Sequence, residues 1–365
     1  MGQPGATNFN GTVFKLNKDG TGHTDLHTFT GPPGDGSLPT GPLVQGSGGM
    51  LYGTTLSGGS SGVGTVFKLH QDGSGYSIVL SFSASLGDGW EPVGLVQGSD
   101  GTLYGTMRLG GLTNANIANG LGTIFKLNKD GIGYAVLRRF TGASGDGIGP
   151  TAVLVEGSDG VLYGTTAYGG IANASDPNGR GTVFKLNKDG SGYTVLHGFA
   201  GAGGDGAYPW AALVEGKDGA LYGTTGAGGR NNAGTVYKLN KDGSGYTVLR
   251  SFTFTNGDGS NPIAALAAGR DWALYGTSYS GGDMDFGTVF ALRPQPVLLP
   301  PILTGGGVTV RFNSMPGSSH RLQRASTLDG SWLTLTSLVV PTSGVAGFTD
   351  AASPQPSGFY RVVKP

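Results

Sequence analysis

Lys217-Asp218-Gly219-Ala220-Leu221-Tyr222-Gly223-Thr224-Thr225 and, across a variable loop, Gly234-Thr235-Val236-Tyr237-Lys238-Leu239 before the turn Lys241-Asp242-Gly243 decide the fold. Two strand-sized apolar runs are each bounded by an Asp-Gly pair. Glycine takes positive φ without steric cost and aspartate caps its own turn, so this pattern marks hairpins. A short run around Leu213 and Val214 precedes the stretch and Tyr246–Phe252 follows it, which makes four strands.

The stretch is one copy of a repeat. Gly-Thr-Val-Phe-Lys-Leu begins at Gly11 and returns with small changes at Gly64, Gly122, Gly181, Gly234 and Gly287, in steps of 53, 58, 59, 53 and 53 residues. Leu-Tyr-Gly-Thr begins at Leu51, Leu103, Leu162, Leu221 and Leu274. Gly-Asp-Gly-x-x-Pro begins at Gly34, Gly87, Gly145, Gly204 and Gly257. Three phrases keeping one order and one period identify a repeat architecture. Four short strands per unit and about five units predict a β-propeller, with five four-stranded blades favoured over six; an open β-solenoid uses coils of about 20 to 30 residues. The glycine inside Leu-Tyr-Gly-Thr is expected where backbones crowd, as near a propeller axis. No window supports a helix, because Gly or Pro interrupts every apolar run.

The expected domains are a propeller over 1–292, a Pro-rich linker over 293–306 and a small β-sandwich-like domain over 307–365. The repeats open with the last two strands of a unit and stop at Leu292 with the first three. That offset suits an N-terminal strand completing the final blade, and equally a piece of a longer array. In the tail, alternation predicts strands at Val308–Phe312, His320–Ala325, Trp332–Leu335, Gly347–Thr349 and Phe359–Val363, with Trp332, Phe348 and Tyr360 as the core.

Composition narrows the function. Glycine supplies 73 of 365 residues without a collagen period, which fits many tight turns. Basic and acidic residues balance at 23 each and no basic run tracks a phosphate backbone, so nucleic acid is not an expected partner. No apolar run is long enough to span a bilayer. Cysteine is absent, which removes disulfides and thiolate chemistry. The segment after Met1 has neither a basic start nor an apolar core, so either the protein is cytoplasmic or a leader has been removed; the repeat phasing favours the second.

Taken together, the three phrases resemble the GloVer (Gloeo/Verruco) tandem repeat of bacterial proteins, over roughly residues 9 to 292. The resemblance implies an exported protein and carries no established activity. The tail, with Ser331-Trp332-Leu333 and Phe359-Tyr360-Arg361-Val362-Val363, is similar to a C-terminal β-sandwich module of secreted proteins from the same bacteria.

Catalysis would need residues that break the repeat. Most acidic residues are repeat-borne turn aspartates, and Glu156 and Glu215 share a strand-end position. Glu91 with Asp176 or Asp283 is the pair open to a glycosidase, which needs two carboxylates about 5 to 9 Å apart. The five histidines lack metal-ligand spacing, and His27 and His197 are repeat-equivalent. Asp35, Asp88, Asp146, Asp205 and Asp258 would form a ring open to Ca²⁺ if their loops gathered at one end; the alternative is that each caps its own turn. Ligand contacts are expected where copies differ: the two residues before the proline, and the long loops Met107–Leu121 and Thr166–Arg180. Trp90, Glu91, Tyr208 and Trp210 are the candidates. The expected role is a non-catalytic, extracellular or cell-surface scaffold binding polysaccharide or a surface protein. A self-assembling structural array and a glycan-cleaving enzyme are the alternatives.

Overall fold

The computed structural model describes residues 10–363 apart from 84–86, 114–116, 144, 173–175, 256, 270–272, 293–296, 300, 305–306, 314–318, 328–330, 342–344 and 352–358. The N-terminal segment, the Asp271 turn, the prolines at 294, 296 and 300, and Asp329 lie outside the described residues. The chain is all-β, and the described residues contain no α-helix.

Four repeats each form a four-stranded antiparallel sheet in chain order, whose strands we call a to d. The first comprises Val44–Gln45, Met50–Thr55, Thr65–His70 and Ser77–Ser81, and the second Trp90–Gln97, Leu103–Leu109, Thr123–Leu127 and Ala135–Arg139. The third comprises Val155–Glu156, Leu162–Thr166, Thr182–Leu186 and Thr194–Gly198, and the fourth Val214–Glu215, Leu221–Thr225, Thr235–Leu239 and Thr247–Ser251. Before them, Thr12–Lys15 and Thr24–Thr28 pair as a lone c–d hairpin. After them, Ala267–Ala268, Leu274–Thr277 and Val289–Leu292 form a three-stranded sheet.

The phrases are explained by what their side chains meet. Strand b sets its glycine opposite the aromatic residue of strand c, as in Gly53↔Phe67, Gly105↔Phe125, Gly164↔Phe184 and Gly223↔Tyr237. A Cβ on those glycines would lie 2.5, 2.4, 2.5 and 2.4 Å from the facing ring or its hydroxyl. The crowding expected at this glycine is therefore mainly with a side chain. The ring needs the space of the missing Cβ, and Phe67, Phe125, Phe184 and Tyr237 are all buried. In all five c–d pairs the register slips between the Val or Ile and this aromatic residue, a β-bulge that adds local twist.

Among the described residues, each apolar cluster of the repeat region joins two consecutive repeats. Tyr163, Val183 and Phe199 of the third pack with Leu213, Leu221, Tyr237 and Leu239 of the fourth. Tyr104, Ile124 and Phe140 of the second pack likewise with Leu154, Leu162 and Phe184 of the third. A single sheet thus buries its face only by stacking on a neighbour. Repeat-equivalent positions at the two ends differ: Phe14 is 50% exposed where Phe67 is 1%, and Val289 is 80% exposed where Val236 is fully buried.

The chain divides into two compact units. One contains Met1–Glu215, Gly219–Leu266 and Thr277–Thr288; the other contains Gly216–Asp218, Ala267–Gly276 and Val289–Pro365. Within the second, Gly307–Asn313 pairs with Val297–Leu298 and Ile302–Thr304 on one edge and Val345–Asp350 on the other. Leu333–Val339, Ser319–Ala325 and Phe359–Val363 form a separate three-stranded sheet. Part of the stretch expected as linker is therefore strand. The core is Phe312, Val340 and Ala346, with Leu338 and Val362 packed against it. Trp332, Phe348 and Tyr360 are only half-buried. Trp332 lies under the Arg361 guanidinium, and Tyr360 donates to Asp350, so these aromatics serve polar partners at the margin.

Candidate functional site

Of the Gly-Asp-Gly aspartates, Asp35, Asp146, Asp205 and Asp258 are each engaged within their own loop and by the neighbouring strands. Among the described residues there is no group of three or more His, Asp or Glu able to hold a metal ion. Asp146 is the fullest example of what they do. It accepts from the Thr141 and Gly147 backbone N–H groups at 2.8 Å each, from Thr141 Oγ1, from Arg138 Nη2 at 2.8 Å and from Tyr193 Oη at 2.7 Å. Tyr193 immediately precedes strand d of the same repeat; Arg138 comes from strand d of the preceding one. Asp35 repeats the pattern with Thr30, Gly36, His27 and Tyr76; Asp205 accepts from the Ala200 and Gly206 N–H groups and from Tyr246, with His197 Nε2 3.5 Å away. Asp258 keeps Arg250, Thr253 and Gly259. Asp88 is buried beside Tyr134, whose hydroxyl pKa is raised by burial and then by that carboxylate. Burial pushes Asp35, Asp146, Asp205 and Asp258 upward, but their hydrogen bonds outweigh it and hold all four below the usual carboxylate range.

The equivalent histidines belong to the same device. His27 and His197 stack on Tyr76 and Tyr246 at 3.5 and 3.7 Å, where other copies place Arg138 and Arg250. The strand-end glutamates are likewise ties between repeats. Glu215 accepts from the Ser158 N–H and Oγ at 2.7 Å each and pairs with Lys241 at 2.8 Å, and Glu156 does the same with Ser99 and Lys188.

What remains is the position before each proline. Leu38, Glu91, Tyr208 and Asn261 have φ of 59°, 58°, 58° and 53°, and Gly149 has 63°. A residue preceding proline normally takes extended backbone, and the left-handed region costs an L-residue about 1–2 kcal/mol. Two contacts hold it there. The Tyr208 N–H donates to Arg180 O, and its carbonyl accepts from the Gly226 N–H. Leu38, Gly149 and Asn261 are clamped identically. The following proline then rests on the glycine of Gly-Thr-Val-Phe-Lys-Leu in the preceding repeat. A Cβ at Gly181 would be 2.4 Å from Pro209 Cδ, and Gly11, Gly64, Gly122 and Gly234 meet Pro39, Pro92, Pro150 and Pro262 in the same way.

Tyr208 and Trp210 come together. Their rings stack at 5.8 Å with planes 13° apart, and Tyr168 meets Tyr208 edge-on at 5.7 Å. Tyr208 Oη donates to Asp176 Oδ2 at 2.9 Å, and Arg180 Nε reaches the same oxygen at 3.1 Å. Trp210 lies over Gly226, where a Cβ would be 2.4 Å from its ring. Tyr168 is 41% exposed and the other two are half-buried. The platform thus joins the long loop of the third repeat to the Gly-Asp-Gly loop of the fourth. Tyr168 and Arg180 were legible only as members of a long variable loop, whereas Asp176 was named from sequence as a possible partner of Glu91 and is found instead with Arg180 and Tyr208. Beside these loops are two cavities: one of about 420 Å³ lined by Ile148, Ile171 and Pro177, and one of about 680 Å³ lined by Arg230, Asn231, Arg250 and Ser251.

Glu91 is held by Arg108 through Nε at 2.6 Å and Nη2 at 2.5 Å. Trp90 is half-buried in strand a of the second repeat, opposite Leu109. Glu91 and Asp176 are therefore each engaged by an arginine of their own repeat.

The profile described as the Gloeobacter/Verrucomicrobia repeat matches residues 1–176 and 170–321. Among solved structures, the chain is similar to a protein of unknown function from Dyadobacter fermentans DSM 18053. That match has 11% identity and a TM-score of 0.46, and covers 76% of this chain and 91% of that one. It is also similar to a candidate 6-phosphogluconolactonase from Bacteroides uniformis ATCC 8492, with 14% identity and a TM-score of 0.47, over 94% of this chain and 96% of that one. No curated protein matches.

Proposed function

Since the chain belongs to the Gloeobacter/Verrucomicrobia repeat family, we propose that it is an exported, cell-surface-associated scaffold that binds polysaccharide and performs no chemistry. The observation that carries this reading is the Tyr168–Tyr208–Trp210 platform, flanked by Asp176 and Arg180. Aromatic faces offer a rigid apolar surface to the C–H face of a pyranose, and the flanking charges suit its hydroxyls. Glu91 and Asp176 are each paired with an arginine of their own repeat, and we read them as holding their loops in shape rather than as a glycosidase pair. We read the four-stranded sheets as propeller blades and the tail as a β-sandwich. The exposed Phe14 and Leu16 of the first hairpin favour one further reading, self-assembly; a sedimentation coefficient that does not rise with concentration would contradict it.

The functional reading is tested by pull-down on insoluble cellulose, xylan, mannan and chitin with reducing-sugar release followed in parallel. Retention without release is expected. Tyr208→Ala or Trp210→Ala should weaken retention about tenfold, as loss of one stacking contact of about 1.4 kcal/mol implies.

A further inference from the structure

We propose that the residue before the proline in each Gly-Asp-Gly-x-x-Pro copy is a ligand-contact position, so that Leu38, Glu91, Tyr208 and Asn261 are successive subsites for one polymeric chain. The inference rests on the polysaccharide reading and extends it from one platform to the whole repeat array.

The argument starts from strain. All five positions share one left-handed conformation, which glycine adopts freely and other residues resist. Gly149 demonstrates that glycine is accepted there with the same backbone clamp. Four copies nevertheless carry a side chain, and the four differ in chemistry: apolar, acidic, aromatic and amide. A position kept constant in backbone and varied in side chain, against a conformational cost, is one where the side chain is used. At Gly149 a Cβ would meet nothing closer than Arg108 O at 3.8 Å and Tyr168 Cδ2 at 3.9 Å, so that position has room for a side chain as well. Leu38 is 46% exposed, and Glu91 holds Arg108 beside it as a paired hydrogen-bonding group. Equivalent clamps put Leu38, Gly149, Tyr208 and Asn261 at the same edge of their repeats. A monosaccharide reaches one such edge; a linear polymer reaches several.

The test uses the full chain with Leu38→Gly, Asn261→Gly and Tyr208→Gly, measured by thermal unfolding and by affinity electrophoresis in gels containing hydroxyethylcellulose, xylan, mannan or dextran. The glycine variants are expected to unfold at the parent temperature or above it. Leu38→Gly and Asn261→Gly should still lose retardation, roughly two- to tenfold in dissociation constant. If these two unfold several degrees lower, the side chains are kept for folding and the proposal is overturned. It is also overturned if Tyr208→Gly alone loses retardation, which would confine the ligand to the platform and leave the platform reading standing. If no polymer retards the parent chain, both readings fall together.

Discussion

At Asp146 five donors converge on one carboxylate from three places in the chain. Removing that acceptor leaves the Arg138 guanidinium and the Tyr193 hydroxyl without it, so Asp146→Ala is expected to lower unfolding free energy by about 3 kcal/mol in urea titrations. The pH dependence has a definite sign. Asp35, Asp146, Asp205 and Asp258 have folded pKa values below their unfolded ones. Their contribution is complete above the unfolded value of about 4 and is lost as pH falls through the folded values. The melting temperature should therefore be level above about pH 5 and drop below about pH 4, less steeply in Asp146→Asn. A melting temperature that already falls between pH 7 and pH 5 would contradict this. The turn role of these aspartates was legible from Asp-Gly alone. The recurring tyrosine was visible at Tyr76, Tyr134, Tyr193 and Tyr246, but a partner 41 to 47 residues away is not encoded in local pattern. The left-handed backbone before each proline was not legible either, because the proline rule points to extended chain.

Among the elements, strands b and c carry the repeat's identity as a matched pair, a glycine notch on one receiving an aromatic ring from the other. Gly223→Ala places a methyl group 2.4 Å from the fully buried Tyr237 hydroxyl. It should destabilise by about 1–3 kcal/mol, read as a lower denaturation midpoint with unchanged slope. The double variant Gly223→Ala, Tyr237→Leu should recover part of that loss by vacating the contact. Strand positions were well specified by alternation in the tail, where every expected strand is present. Its core was not. Size suggested Trp332, Phe348 and Tyr360, whereas Phe312, Val340 and Ala346 fill the interior and the larger aromatics lie at polar margins.

At the scale of the molecule, the repeat is a stacking unit whose apolar faces need neighbours, and its ends expose what its middle buries. Hydrogen exchange should find the amides of Thr12–Lys15, where Phe14 is half-exposed, faster than those of Thr235–Leu239, whose apolar side chains are buried between repeats; equal protection would contradict this. The functional claim is carried by the variable loops, which the rigid repeat holds in place. It is tested most directly by retention of the full chain on insoluble polysaccharides, compared with Tyr208→Ala and Trp210→Ala variants of unchanged melting temperature. The account predicts retention of the parent without release of reducing sugar, and about tenfold weaker retention of each variant. Parent and variants retained equally, or soluble sugar released by the parent, would contradict it.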